Sequence, residues 1–404
     1  MWELDSRIQH YDWGSTTAIP EFLGRPADGA PWAEAWYGAH PLAPSTLATG
    51  QDAGTGLDAA IATDPRRMLG GGVERAFGAR LPYLLKVIAP EKPLSLQVHP
   101  DREHAQESFA AETAAGLPLE SPLRNYRDDN HKPEMLIALT RFTALCGFRT
   151  PRRAAALLEG LGTDLTDRLH ALLTRSPTAH GMRAAFRTLV SSAMRPGPDV
   201  VQQVVGACRA RADSGHSPSL RIDQTVALLA DHHPGDPGVV AALLLNPVTL
   251  RPGEAMFVPP GTLHAYLRGV GLEIMAASDN VLRAGLTPKK VDADEMLQCV
   301  SVQAAPPLRV APERQNATSV AYYAPVDDFE LSMTTLTDPP GTFRACHRVP
   351  GGGPRTLLGL EGEVLVQSDL GRHVLTAGKA LFVPAAAGQL HAGGSGRFVQ
   401  ASVP

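Results

Sequence analysis

The chain has 404 residues, 44% of them hydrophobic, with 37 Lys and Arg against 41 Asp and Glu, and its mean hydropathy is −0.09. This length exceeds one ordinary core, so two or three domains of a soluble globular protein are expected. A net charge of −4 gives no footprint for nucleic acid or an anionic membrane, the start Met1-Trp2-Glu3-Leu4-Asp5 lacks the basic residues of a signal peptide, and no apolar run reaches the roughly 18 residues of a membrane span, so a cytoplasmic location is expected.

Residues 1–150 carry short apolar runs punctuated by Gly and Pro, as in Leu81-Pro82-Tyr83-Leu84-Leu85-Lys86-Val87-Ile88 and Glu134-Met135-Leu136-Ile137-Ala138-Leu139. Such punctuation predicts short strands and turns. Gly70-Gly71-Gly72 is expected to be a flexible turn, because it lacks the strand context and the Lys-Ser/Thr of a phosphate loop. In Leu96-Gln97-Val98-His99-Pro100-Asp101 an amide and an imidazole stand two residues apart on a strand-like run, so both can reach one point. Asp101 then reads as the N-cap of a helix running to about Ala115.

From Pro151 the spacing turns helical, as in Leu165-Thr166-Asp167-Arg168-Leu169-His170-Ala171-Leu172-Leu173 and Thr225-Val226-Ala227-Leu228-Leu229-Ala230, with breakers at Pro196-Gly197-Pro198 and Pro234-Gly235-Asp236. Residues 151–235 are therefore expected to be a helical insertion. His232-His233, before Pro234, reads as a helix end. Strand signals return over 236–310. There Gly253, Pro259, Gly261 and His264 spell a strand, a tight turn and a histidine at the start of the next strand.

Residues 311–404 repeat that pattern: Leu250-Arg251-Pro252-Gly253-Glu254-Ala255-Met256-Phe257-Val258-Pro259 matches Leu375-Thr376-Ala377-Gly378-Lys379-Ala380-Leu381-Phe382-Val383-Pro384, and both copies reach Leu-His-Ala. The repeat predicts two related β-units. The second has no upstream Gln-x-His, so His391 is expected to be structural. Cys146, Cys208, Cys299 and Cys346 form no CxxC pair, which leaves nitrogen and oxygen as the donors of any metal site.

Gln97, His99, Glu134 and His264 supply such donors. One carboxylate and three neutral groups would leave a divalent ion near +1, suited to stabilising a developing oxyanion. The set fits Zn²⁺, and Fe²⁺, Mn²⁺ or Co²⁺ meet the same softness argument. Ser278-Asp279-Asn280-Val281-Leu282-Arg283-Ala284-Gly285-Leu286-Thr287-Pro288-Lys289-Lys290 is a polar loop with three cations, suited to an anion. Lys86 and Lys132 sit in apolar surroundings that call for a partner or a task.

Together, Leu81 to Val87, Leu96 to Asp101, Asp129-Asn130-His131-Lys132-Pro133-Glu134-Met135, Ala144-Leu145-Cys146-Gly147-Phe148, Pro252-Gly253-Glu254-Ala255, His264-Ala265-Tyr266 and Ser278 to Lys289 closely resemble the signatures of type I mannose-6-phosphate isomerase, in that family's order, from Tyr11-Asp12-Trp13-Gly14-Ser15 to about Asp292. The resemblance implies a mainly β fold of cupin-type jelly-roll barrels: a catalytic barrel over 1–150 and 236–310, an α-helical domain over 151–235 and a C-terminal β-domain over 311–404. It implies one Zn²⁺ per chain on Gln97, His99, Glu134 and His264, an active-site arginine at Arg283, and pocket residues at Trp13, Glu34, Lys86, Ser95, Lys132, Tyr266, Glu273, Asp279 and Lys289. The stretch Trp32-Ala33-Glu34-Ala35-Trp36 departs from the commoner Glu-Leu-Trp-Met form but keeps the glutamate.

The implied reaction interconverts mannose 6-phosphate and fructose 6-phosphate through an enediol, a step in carbohydrate metabolism on the way to GDP-mannose. Lys86, Ser95 and Lys289 would hold the phosphate, and Arg283 the enediolate. Glu273, Asp279, Lys132 and a metal-bound water all qualify as proton carrier, with the two free carboxylates ranked ahead. A metal-dependent oxygenase on the same barrel is the alternative from another class; the cations Lys86, Arg283 and Lys289 have no task in it. A regulator that binds sugar phosphate without turnover is a third reading, against which every ligand position is intact. A monomer is the default expectation.

Overall fold

The computed structural model describes residues 1–50, 52–339 and 346–404. Among these, three antiparallel sheets of ten, seven and five strands are joined by eleven helices. No described helix is long and apolar enough to cross a membrane.

The five-stranded sheet runs, edge to edge, Leu282–Gly285, Leu96–Val98, His264–Arg268, Phe142–Phe148 and Leu245–Leu250. Alternation sends Leu96, Val98, Leu145, Ala265 and Leu282 to one face, where they share a core with Leu158, Leu169, Phe186, Val204 and Leu229 of the helices. The opposite alternation sends Ala144, Val248, Leu250 and Tyr266 toward Ile88, Leu136 and Ala138 of the seven-stranded sheet. That sheet runs Leu308–Val310, Ala255–Val258, Glu134–Ala138, Gly271–Ala276, Tyr83–Ile88, Glu34–Gly38 and Arg7–Gln9. Its outer face, with Leu85, Val87, Ile137 and Ile274, packs on Phe382, Val399 and Ala401 of the ten-stranded sheet. The layers are thus helices, five strands, seven strands and ten strands. Because both its faces are covered, the strand Tyr83–Ile88 is buried throughout, and any charge on it must be paired.

The helical layer starts where expected. Thr150 caps Pro151–Leu158, and Thr163 and Thr166 form a reciprocal cap on Asp164–Arg175, each satisfying first-turn N–H groups. Arg211 of Pro198–Asp213 forks onto fully buried Asp223 of Leu220–His232 at 2.6 and 3.0 Å, which locks these two helices. Helical backbone continues past the expected end at 235, through Gly238–Ala241 to Leu244. Asp101 caps Arg102–Ala114 by accepting from the His104 N–H. His232 closes its helix.

Gly70-Gly71-Gly72 is not a free turn: it lies inside Pro65–Phe77, where Gly70 at φ 79° makes a kink that glycine alone tolerates cheaply. In the two copies of the repeat, Gly253 and Gly378 take the same left-handed turn, at φ 84° and 76°, before the strands Ala255–Val258 and Ala380–Val383. The N-terminal segment also crosses layers, because Trp2–Asp5 pairs with Ala380–Val383 and with Thr46–Leu47 in the ten-stranded sheet.

Candidate active site

The site opens between the inner faces of the five- and seven-stranded sheets, beyond their shared apolar patch. Register brings its pieces together: His264 lies opposite Gln97, and Gln97 opposite Arg283. On the facing sheet Glu273 lies opposite Lys86 and Glu134 opposite Met275.

His99, Glu134 and His264 are the deepest members, at 1%, 2% and 0% exposure. Their donor atoms lie within 4.8 Å of one another. His99 Nδ1 donates to the Asn280 carbonyl at 2.7 Å, and His264 Nδ1 to the Thr262 carbonyl at 3.0 Å. Each imidazole therefore turns a lone pair on Nε2 toward Glu134, at 3.2 Å from Oε1 and 3.3 Å from Oε2. Burial pushes the His99 pKa down to about 4 and keeps the ring neutral. Acceptors facing acceptors at this range repel. Accordingly His99 Nε2 and Glu134 Oε2 have no hydrogen-bond partner, a pattern that a cation among them resolves. The Gln97 amide lies 3.4 Å from His264 Nε2, and a half-turn of that amide presents its oxygen to the same point. Two imidazoles, a carboxylate and an amide oxygen suit a borderline divalent metal.

Next to this cluster, Lys86 Nζ lies 3.4 Å from Glu273 Oε2 and 3.6 Å from Glu34 Oε2, and 5.1 Å from the Trp36 ring centroid. Burial opposes the Lys86 charge, yet the two carboxylates outweigh it and hold the pKa above the ordinary lysine range. Glu273 is pushed the other way, up to about 7, by burial and by Glu134, against the pull of Lys86. Glu34 is fixed by the Trp36 indole N–H at 2.6 Å. Lys132 Nζ stands 3.6 Å from Glu134 Oε1. The two buried lysines thus both have carboxylate partners.

Two loops are knitted behind the cluster. Asp128 accepts from the Ser278 hydroxyl and the Asp279 N–H, both at 2.8 Å. Asn280 donates to the carbonyls of Asp128 and Asn130 at 2.8 and 2.9 Å and accepts from the Arg127 N–H. The same Asn280 presents its own carbonyl to His99, so this network sets the imidazole that faces Glu134. Asp279 reaches the pocket with buried His40 at 3.5 Å behind it.

A cavity of about 500 Å³ leads from these groups to the surface. Trp13, Glu34, Gln97, Lys132, Tyr266 and Asp279 line it, together with Glu134 and the pair Lys86 and Glu273. Arg283 enters its wall, half-buried and without an ion-pair partner among the described residues. Ser95 and Lys289 stand nearer the mouth, where Lys289 Nζ lies 5.8 Å from the Tyr11 ring centroid. The cavity is carboxylate-rich at its base, and toward its opening Lys92, Arg283 and Lys289 outnumber Asp12 and Asp231.

Residues 1–151 match the family described as phosphomannose isomerase type I, catalytic domain. Over 99% of both chains, the sequence is 36% identical to mannose-6-phosphate isomerase of Salmonella typhimurium and 35% identical to that of Escherichia coli. The human mannose-6-phosphate isomerase is 31% identical, over 90% of this chain and 88% of its own. The chain belongs to the mannose-6-phosphate isomerase family. A solved mannose 6-phosphate isomerase bound with zinc and yttrium superposes with a TM-score of 0.88 at 35% identity, covering 100% of this chain and 99% of that one.

For a member of the mannose-6-phosphate isomerase family, the sequence-derived set gathers closely: each expected metal donor and pocket residue lies in or directly behind this one cavity. Lys86, expected at the phosphate, stands between the carboxylates of Glu34 and Glu273. Several neighbours escaped sequence reasoning. Tyr11, stacked on Trp13 at 5.6 Å, stood in a quoted motif yet gave no chemical signal of its own. His40, Lys92 and the helix-end pair His232 and His233 approach from segments distant in sequence, and only the placement of the helical layer brings the last two to the mouth.

Proposed function

We propose that the chain interconverts D-mannose 6-phosphate and D-fructose 6-phosphate, with zinc held by Gln97, His99, Glu134 and His264. The observation that carries this reading is the pair of buried imidazole Nε2 atoms facing one buried carboxylate at the base of a cavity with cations toward its mouth. When bound, zinc supplies a Lewis acid toward the sugar oxygens.

The protein's own groups do the rest. Ser95 and Lys289 grip the phosphate at the mouth, and that remote binding orients C1 and C2 toward the base of the cavity. Lys86 is spoken for by Glu34 and Glu273, so its part is to tune those carboxylates rather than to hold phosphate. Glu273 takes the proton from one carbon and returns it to its neighbour, a task suited to a buried carboxylate whose pKa burial raises. Arg283, with its guanidinium unpaired, stabilises the negative oxygen that develops in the enediol step. Asp279, backed by His40, is the second carboxylate within the cavity and fixes a sugar hydroxyl. Lys132 lowers the charge beside Glu134.

The facing five- and seven-stranded sheets support a cupin-type jelly-roll reading of 1–150 with 236–310, and the internal repeat supports a related barrel over 311–404 beside the helical unit 151–235. A monomeric cytoplasmic enzyme that feeds GDP-mannose formation fits these features. The test is a coupled assay of fructose 6-phosphate formed from mannose 6-phosphate by metal-stripped and zinc-loaded protein; turnover by the stripped protein at the loaded rate would refute the ligand assignment.

A further inference from the structure

Positive charge also collects outside that cavity, on the seam between the helical layer and the rim of the five-stranded sheet. A second cavity of about 560 Å³ opens there and shares no lining residue with the first. Arg141, Arg221 and Arg251 line it, and no carboxylate does. They arrive from three places: the turn before Phe142–Phe148, the first turn of Leu220–His232, and the turn after Leu245–Leu250. None of the three is ion-paired among the described residues.

The crowding has direct geometric signs. Arg221 Nη2 donates to Thr249 Oγ1 at 2.7 Å while Arg309 Nη2 donates to the carbonyl of the same threonine at 2.8 Å. Arg309 has a carboxylate of its own, Glu254, at 2.9 Å; Arg221 has none. Burial first, then Arg141 and Arg309, draw the Arg221 pKa down. Further along the seam, Arg149 is anchored through Nε to the Leu245 carbonyl at 2.7 Å, while its buried Nη2 has no partner. In a chain with more acids than bases, three solvent-exposed guanidiniums gather round one cavity; Glu254 lies beside Arg251 and Arg309, so the uncompensated charge is on the Arg141 and Arg221 side, where a bound anion would offset it.

We propose that this cavity is a second anion site that takes a small molecule carrying a pyrophosphate, of the nucleoside diphosphate class. One phosphate satisfies one or two guanidinium forks, whereas forks arriving from three elements match two linked phosphates. The volume is that of a small-molecule site, and Leu228, Val248 and Leu267 give an apolar wall for the remainder of the ligand.

The test is calorimetric titration of the zinc-loaded enzyme with pyrophosphate, ADP and inorganic phosphate, at saturating mannose 6-phosphate and fructose 6-phosphate so that the active site is filled, with zinc content checked afterwards. Pyrophosphate and ADP are expected to bind saturably and inorganic phosphate at least tenfold more weakly. The exposed double variant Arg141→Gln with Arg221→Gln should weaken pyrophosphate at least tenfold while kcat and KM for mannose 6-phosphate stay unchanged. Absence of saturable binding to the filled wild-type enzyme, undiminished binding to the folded double variant, or equal affinity for phosphate and pyrophosphate would each overturn the proposal.

Discussion

Replacing Lys86 by methionine tests Glu273 as the proposed proton carrier. Methionine keeps an unbranched apolar stem beside Trp36 but removes the charge 3.4 Å from Glu273. At that separation, and at an effective dielectric of about 20, the lost attraction is about 5 kcal/mol. One pKa unit corresponds to about 1.4 kcal/mol, so the upper limit is roughly 3.5 units. Glu34 competes for the same ammonium, and water enters the vacated space, which together reduce the effect to about 2 units. Glu273 must be deprotonated to accept a proton; burial and Glu134 raise its pKa, and a cation on Glu134 offsets the second of these. Activity should therefore rise with pH through the Glu273 pKa, and that rise should move up by about 2 units in Lys86→Met. Below both pKa values this is a loss of roughly a hundredfold in kcat/KM, recovered by raising the pH. The assay is the pH profile of kcat/KM with zinc content measured in parallel. A limb displaced by less than about 0.5 unit at equal zinc would refute the reasoning, because neither the ion pair nor Glu273 would then govern the profile.

Other expectations follow from the same geometry. Chelation should abolish turnover and added zinc restore it, with the thermal midpoint rising on reloading because the cation relieves the facing acceptors; an unchanged midpoint would leave the buried cluster unexplained. Arg283→Ala should cost about 10²–10³ in kcat at full zinc occupancy, as measured by steady-state kinetics beside metal analysis. Ser95→Ala and Lys289→Ala should raise KM more than they lower kcat if they bind ground and transition states alike. His391→Ala should retain turnover, since no cluster of donors forms around His391 among the described residues; a folded but inactive variant would contradict the structural reading of the second copy.

Much of the site was legible because its chemistry sits in short local patterns. Gln97 and His99 two apart on a strand, Glu134 starting the next apolar run and His264 after a Pro-Gly turn each carry a signal within a few residues. The charge balance within the cavity was not local. That Lys86 faces Glu34 and Glu273 depends on the neighbouring register of three strands, and register is set by which alternation reaches the core. Element types were readable from periodicity, whereas Gly70 inside a helix was misread because a kink and a turn use the same residue. The helical segment ran past 235 because Gly235 and Pro237 interrupt a pattern that packing then resumes, burying Val239 to Leu244 completely.

The pairing of Trp2–Asp5 with Ala380–Val383 bears on how this polypeptide reaches its native state. One edge of Trp2–Asp5 is met early by Thr46–Leu47, but its other edge waits for Ala380–Val383, far downstream in the chain. Removing residues after about 310 would leave this strand paired on one edge only and bare the outer face of the seven-stranded sheet, whose inner face carries Lys86, Glu134 and Glu273. The region holding the reactive groups is therefore not an autonomous folding unit, and a truncated enzyme should be recovered as aggregate rather than as a smaller catalyst.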